Sequence, residues 1–185
     1  MVLKFNNSAN YTHIPFFKKR LLETIGLILL LISTIIAASI ITFDINDPSF
    51  SYLSDSATNN ILGKYGAYTS DSLIKLFGAS SVLIFLISFA WGLKLFIHKK
   101  ITFFWLRLIF VPITLLSTSI ALNIENIFNI NLEGGGIVGK YTFLYITNFL
   151  QHINFESSQI YISILFFLIA FFSFNFSLGL NQLEW

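Results

Sequence analysis

The sequence predicts an all-α integral membrane protein with four transmembrane helices, on three observations. Apolar residues make up 55% of the 185 and charged residues only 11%, where soluble domains average about 25% charged. Four apolar runs are each long enough to cross a hydrocarbon core, which takes about 20 helical residues. Basic and acidic residues sort to opposite ends of those runs, the bias that sets a membrane topology. The chain has no cysteine, so disulfides, thiolate chemistry and cysteine-held metals are excluded. His13, His98 and His152 lie far apart in sequence, and no metal site is expected from them.

Residues 1–24 form a basic N-terminal segment ending in Phe16-Phe17-Lys18-Lys19-Arg20, a pattern suited to lipid headgroups. The first span is expected at 25–43, reaching about 28 Å at the helical rise. Ala37-Ala38-Ser39 could mark a signal-peptide cleavage site, but the run is long for a signal core and continues past it, which favours an uncleaved span. Gly26, Ser33 and Ala37 include a small-x-x-x-small pair that would admit a neighbouring helix. The second span is expected at 76–96, with Trp91 near its end and Lys94 snorkelling outward.

The third span, 101–122, is interrupted by Arg107 and Pro112. Starting it after Arg107 leaves too few residues to cross, so Arg107 belongs inside the helix. Either it lifts its guanidinium to the headgroups beside Trp105, or it makes a buried polar contact with another helix. Pro112 is expected to kink the helix, with nearby Ser or Thr answering the freed carbonyl. The fourth span is expected at 160–178. The stretch 137–153 carries Lys140, Asn148, Gln151 and His152. It reads as an interfacial or re-entrant helix, with a fifth span as the alternative.

With the N-terminus in the cytoplasm, Lys4, Lys18, Lys19, Arg20, Lys94, Lys99, Lys100 and Arg107 fall inside, eight of the eleven basic residues. Seven of the nine acidic residues fall outside, leaving Glu23 and Glu184. Both termini are therefore expected in the cytoplasm, the second as a short end at 181–185. The connections at about 44–75 and 123–159 are expected in the periplasm, each with a short helix. In the first, Asp47-Pro48 begins a turn in which Asp bonds backbone ahead of it. A helix over 60–78 would place Gly63, Gly66, Ala67 and Ser70 on one face, a stripe suited to close packing; a glycine-containing loop is the alternative.

Gly134-Gly135-Gly136-Ile137-Val138-Gly139-Lys140-Tyr141 nearly matches the phosphate-binding pattern G-x-x-x-x-G-K-[ST]. Tyr141 replaces the small hydroxyl residue that must reach magnesium, and no strand precedes the glycines. A tight turn before a surface helix accounts for them better. No Ser-His-Asp or paired-carboxylate set shares one side of the bilayer, and no basic, aromatic-interleaved patch points to nucleic acid.

Taken in order, four motifs resemble the N-terminal four-span membrane domain of the FtsK/SpoIIIE family of bacterial DNA translocases. They are Asp47-Pro48-Ser49-Phe50 after the first span; Gly63-x-x-Gly66-Ala67-x-x-Ser70-Asp71-x-Leu73 leading through Gly78, with Ser70 in place of the family's alanine; Arg107-Leu108-Ile109 in the third span; and Gly135-Gly136-x-x-Gly139 after it. The resemblance covers about 20–180. It implies a non-catalytic anchor in the bacterial inner membrane, multi-pass and targeted to the division septum, where it couples division to chromosome segregation. It also implies self-association and contact with other division proteins, with lipid but not nucleic acid as the direct surroundings. The ATP- and magnesium-dependent motor of the family has no counterpart in these residues, so no cofactor is expected here; a fragment and a motorless homologue both fit. A small transporter or channel subunit is the alternative, and an intramembrane enzyme a more distant one.

Overall fold

In the computed structural model, residues 16–53, 57–97, 101–123, 134–153 and 159–179 are described. They form six α-helices: α1 (Phe16–Ile41), α2 (Gly63–Phe77), α3 (Val82–Phe96), α4 (Phe104–Ala121), α5 (Gly136–His152) and α6 (Gln159–Leu178). A 3-10 turn, Gly78–Ser81, joins α2 to α3. Four helical stretches are long and apolar enough to cross a membrane: α1, α4, α6 and the run from α2 through α3.

α1 starts well before residue 25 because the basic Phe16–Arg20 segment is itself helical, with an Arg20–Glu23 ion pair at 2.7 Å along its exposed face. The second span is not one α-helix, as a run over 76–96 would require. Gly78 takes φ +61° and ψ −140°, a conformation that Cβ-bearing residues avoid. There the chain turns from the amphipathic α2 into the apolar α3. The Ala79 N–H released by this break donates to the Gly134 carbonyl at 3.1 Å. α4 begins at Phe104, since Phe103 takes a left-handed φ of +53°, and it runs through Pro112 without interruption. The Thr114 hydroxyl donates to Phe110 O (2.8 Å) and approaches Ser173 Oγ (3.1 Å), so it works between helices as well as along its own.

The spans associate as two pairs, α1 on α3 and α4 on α6. Their contact surfaces reverse the pattern of a soluble core. Ser33, Ser39, Thr114, Ser117 and Ser173 are buried, while Leu31, Ile35, Phe167 and Phe171 face outward. Lipid tails are as apolar as leucine, so helices gain by close backbone approach and interhelical hydrogen bonds. In the first pair Gly26 meets Gly92: a Cβ on Gly26 would lie 2.6 Å from Phe96 N and 2.9 Å from Gly92 O.

The bundle has two distinct ends. One gathers the start of α1, the end of α3, the start of α4 and the end of α6. At the other, α2, the 3-10 turn and the start of α5 lie across the ends of α1 and α4. A small apolar core of Ile120, Phe143 and Ile162 ties α5 to α4 and α6 there.

Gly26→Ala is expected to destabilise the α1–α3 pair by about 1–3 kcal/mol, because the new methyl meets backbone that cannot rotate away. Reversible unfolding in bicelles measures this, and an unchanged midpoint would show that the helices separate freely at that point.

Candidate functional site

The end of the bundle that carries both connections is built around two buried polar side chains. Asp47 is about 1% exposed, and its carboxylate accepts two backbone N–H groups, Asn59 on Oδ1 (2.7 Å) and Asn60 on Oδ2 (2.9 Å). Its partners lie 12 and 13 residues ahead, so it closes the whole loop instead of the local turn. Asp44 makes the local bond, to Asn46 N–H (2.9 Å), and holds the Asn59 side chain (2.8 Å). These contacts, led by the Asn46 backbone bond and then the Asn59 amide, lower the Asp44 carboxyl below its ordinary 3.8.

Asn60 has no place in the sequence motifs, yet it is the hub. Its Nδ2 donates to the carbonyls of Ser39 (2.9 Å) and Thr42 (3.1 Å), which lie at the C-terminal end of α1. Helix C-termini leave carbonyls without partners in their own helix, and Asn60 answers two of them from across the loop. Its Oδ1 accepts Leu62 N–H at 3.1 Å, starting the turn into α2. A Cβ on Gly66 would collide with this Oδ1. The only sequence cue for Asn60 was an Asn-Asn pair just before a glycine-marked helix.

Gly66, Ala67, Ser70 and Asp71 form the buried face of α2. Ser39 and Ser70 hydroxyls both donate to the Gly66 carbonyl, at 2.6 and 2.9 Å. Gly63 stands apart from this face: nothing would lie within 4 Å of a Cβ there, and its φ of +63° makes it a conformational residue at the helix start. Pro48 and Ser49 are buried beside Asp47. Phe50 is largely exposed but meets Tyr68 edge-on at 4.7 Å, and Ser51 Oγ donates to Asp71 Oδ2 at 2.6 Å. Lys75 completes the set with an ion pair to Asp71 at 3.1 Å.

The second connection docks through its glycines. Gly135 and Gly139 both lie against the Ser119 carbonyl at the end of α4, with no room for a Cβ on either. Gly136, at φ +64°, faces Leu76 O and Gly78 N of the break between α2 and α3. Ser80 and Ser119 hydroxyls share a 2.6 Å hydrogen bond beneath them. A phosphate cradle needs convergent N–H groups. These glycines instead face carbonyl oxygens, while Lys140 and Tyr141 point out from α5. Among the described residues no three His, Asp or Glu side chains gather. Glu125 and Glu133 lie outside the described residues.

Arg107 and Gly78 complete the motif set. Gly78 makes the break described above. Arg107 lies at the opposite end of the bundle, about 5% exposed, with Nη2 donating to Thr102 Oγ1 (3.0 Å) and its guanidinium 5.7 Å from the Phe176 ring centre. The snorkelling arrangement is thus replaced by a buried contact with α6. Lys94 is also buried and donates to the Gly179 carbonyl instead of reaching outward. Trp91 Nε1 donates to Ser177 O at 2.8 Å.

Comparison with known proteins matches residues 18–185 to the family described as the 4TM region of DNA translocase FtsK/SpoIIIE. The DNA translocase FtsK of Rickettsia bellii (strain RML369-C) is 27% identical over 145 residues, 78% of this chain and 18% of the relative. That of Rickettsia typhi (strain ATCC VR-144 / Wilmington) is 32% identical over 124 residues, 67% of this chain and 16% of the relative. That of Agrobacterium fabrum (strain C58 / ATCC 33970) is 31% identical over 85 residues, 46% of this chain and 10% of the relative. The chain thus spans less than a fifth of the length of these relatives. No solved structure matches it significantly.

Asp47→Asn leaves one oxygen for two N–H groups and sets its own NH2 against one of them, so a loss of about 1–3 kcal/mol is expected in bicelle unfolding. An unchanged stability would remove Asp47 from the centre of the loop. Asp44 gives a separate pH dependence. A carboxylate with a lowered value contributes fully above 3.8, and its contribution fades as pH falls through the lowered value. Amide exchange over residues 57–62 should therefore quicken in that acid window, and Asp44→Asn should flatten the dependence.

Proposed function

Because the chain belongs to the family of the 4TM region of DNA translocase FtsK/SpoIIIE, we propose that it is the membrane anchor that holds such a translocase at the division septum. It is a multi-pass inner-membrane region with four apolar helical stretches. In this proposal the basic segment 1–24 and the end at 181–185 face the cytoplasm, and residues 25–180 form the membrane domain. The connections around 44–75 and 123–159 then form one periplasmic cap. The DNA-translocating motor of the relatives would lie on the cytoplasmic side, and this region would recruit and tether without itself touching DNA.

The observation that best supports this arrangement is the joining of the two connections. Ala79 N–H bonds the Gly134 carbonyl, and Gly136 packs on the break after α2. Segments bonded to each other lie on the same side of the bilayer. The basic residues Lys18, Lys19 and Arg20 flank the opposite end, at the start of α1. That arrangement agrees with a cytoplasmic N-terminus.

The motif residues divide by task under this proposal. Asp47, Pro48, Ser49 and Phe50 shape the first half of the cap, and Gly63, Gly66, Ala67, Asp71 and Gly78 set α2 on the end of α1. Gly135, Gly136 and Gly139 dock the second half. Self-association and contacts with other division proteins would use the exposed faces of this cap and the lipid-facing helix surfaces.

A fluorescent fusion should gather at midcell in dividing cells; even membrane fluorescence would count against septal anchoring. The absence of native cysteine allows a clean test of sidedness. Tyr65→Cys, at an exposed position of α2, should react with an impermeant thiol reagent added outside intact spheroplasts, whereas Lys19→Cys should react only after lysis. The reverse result would invert the topology.

A further inference from the structure

The end of the bundle opposite the cap holds a feature that anchoring alone does not use. Three side chains from two other helices converge on the last turn of α6. Trp91 Nε1 donates to Ser177 O at 2.8 Å, and Lys94 Nζ donates to Gly179 O. Arg107 lies against Gly179 so closely that no Cβ fits there, with its guanidinium over the Phe176 ring. All three side chains are buried, in a span region otherwise filled by apolar and small residues. Gly179 takes φ +72°, the left-handed conformation that ends a helix and turns the chain away from its axis.

The last carbonyls of a helix lack partners in their own helix, and terminal turns open first. Here α3 holds the Ser177 carbonyl in the last turn and the Gly179 carbonyl just past it, while a cation from α4 sits at the negative end of the α6 dipole. A pull on the chain past Gly179 would therefore be shared by three helices instead of peeling α6 one residue at a time. We propose that Trp91, Lys94 and Arg107 are positioning residues of a tension latch, which keeps the end of α6 wound while force reaches the membrane region through the chain that follows it. The proposal rests on the anchoring reading, in which a DNA-translocating motor supplies that force. The physical property itself is independent of where the protein localises.

The test is magnetic-tweezer pulling on the full chain in bicelles, in two geometries. In one the handles are at Phe16 and Trp185, so that force passes through the end of α6. In the other they are at Phe16 and Tyr65, which bypasses it. Trp91→Phe keeps an aromatic ring beside Phe104 but removes the N–H donor, and Lys94→Met keeps the stem but removes the charge. Each should speed the first opening event about tenfold in the first geometry and leave it unchanged in the second. An equal rise in both geometries would reveal general destabilisation, and no rise in the first would show that the latch carries no load; either result overturns the proposal. If Lys94→Met fails to insert, Trp91→Phe decides alone. A fusion carrying Trp91→Phe should still gather at midcell when the wild type does, so failure of the latch and failure of septal anchoring are told apart.

Discussion

Carbonyl groups at the ends of helices govern this structure. Inside a bilayer an unsatisfied backbone group costs several kcal/mol, and a helix C-terminus leaves several such groups open. Three times among the described residues the chain answers them from a different element. Asn60 reaches back to Ser39 and Thr42 at the end of α1. The Ser119 hydroxyl donates to Phe77 O at the end of α2. Trp91 holds the Ser177 carbonyl in the last turn of α6, and Lys94 holds the Gly179 carbonyl just past it. Each of these contacts also fixes one element against another, so closing the helix ends and assembling the bundle are the same event.

This explains where glycine is spent. Gly26 and Gly92 let α1 and α3 touch backbone to backbone, and Gly66 makes room for the Asn60 oxygen. At Gly78 and Gly136 the need is conformational, since a sharp break between the amphipathic α2 and the apolar α3 has to face the start of α5. Serine and threonine fill the remaining contacts because a hydroxyl can bond within a helix and across to a neighbour at once, as Thr114 does. The large apolar residues are left to the lipid. The result is a membrane region whose interhelical side-chain bonds to backbone carbonyls gather toward its two ends.

Much of this was legible in the sequence, and the limits have physical causes. Hydropathy located four spans because the cost of polar backbone in lipid is paid residue by residue along one run. Small residues at helical spacing marked the buried face of α2 for the same local reason. The partners of Asp47 were not legible: its turn chemistry predicted a neighbour, and tertiary closure supplied Asn59 and Asn60 instead. Asn60 escaped because a remote cap has no periodicity, only an address set by how α2 crosses α1. The break at Gly78–Ser81 was hidden because Gly, Ala and Ser are small residues that a transmembrane helix also tolerates. Lys94 reads as a long cation near a membrane surface, whereas the Gly179 carbonyl offers it a closer partner than the headgroups do. For Arg107 sequence leaves both a headgroup and a buried contact open, and the fold selects the buried one, against Phe176 of α6.

Remote capping of α1 is the contact on which the cap depends most, and it can be observed at the bond itself. A 13C=18O label on the Ser39 carbonyl gives an isolated infrared band whose frequency reports hydrogen bonding to that oxygen. The account predicts that Asn60→Ala moves this band to higher frequency, with a label at Leu31 unmoved as the internal reference. A Ser39 band that stays in place in the variant would contradict it.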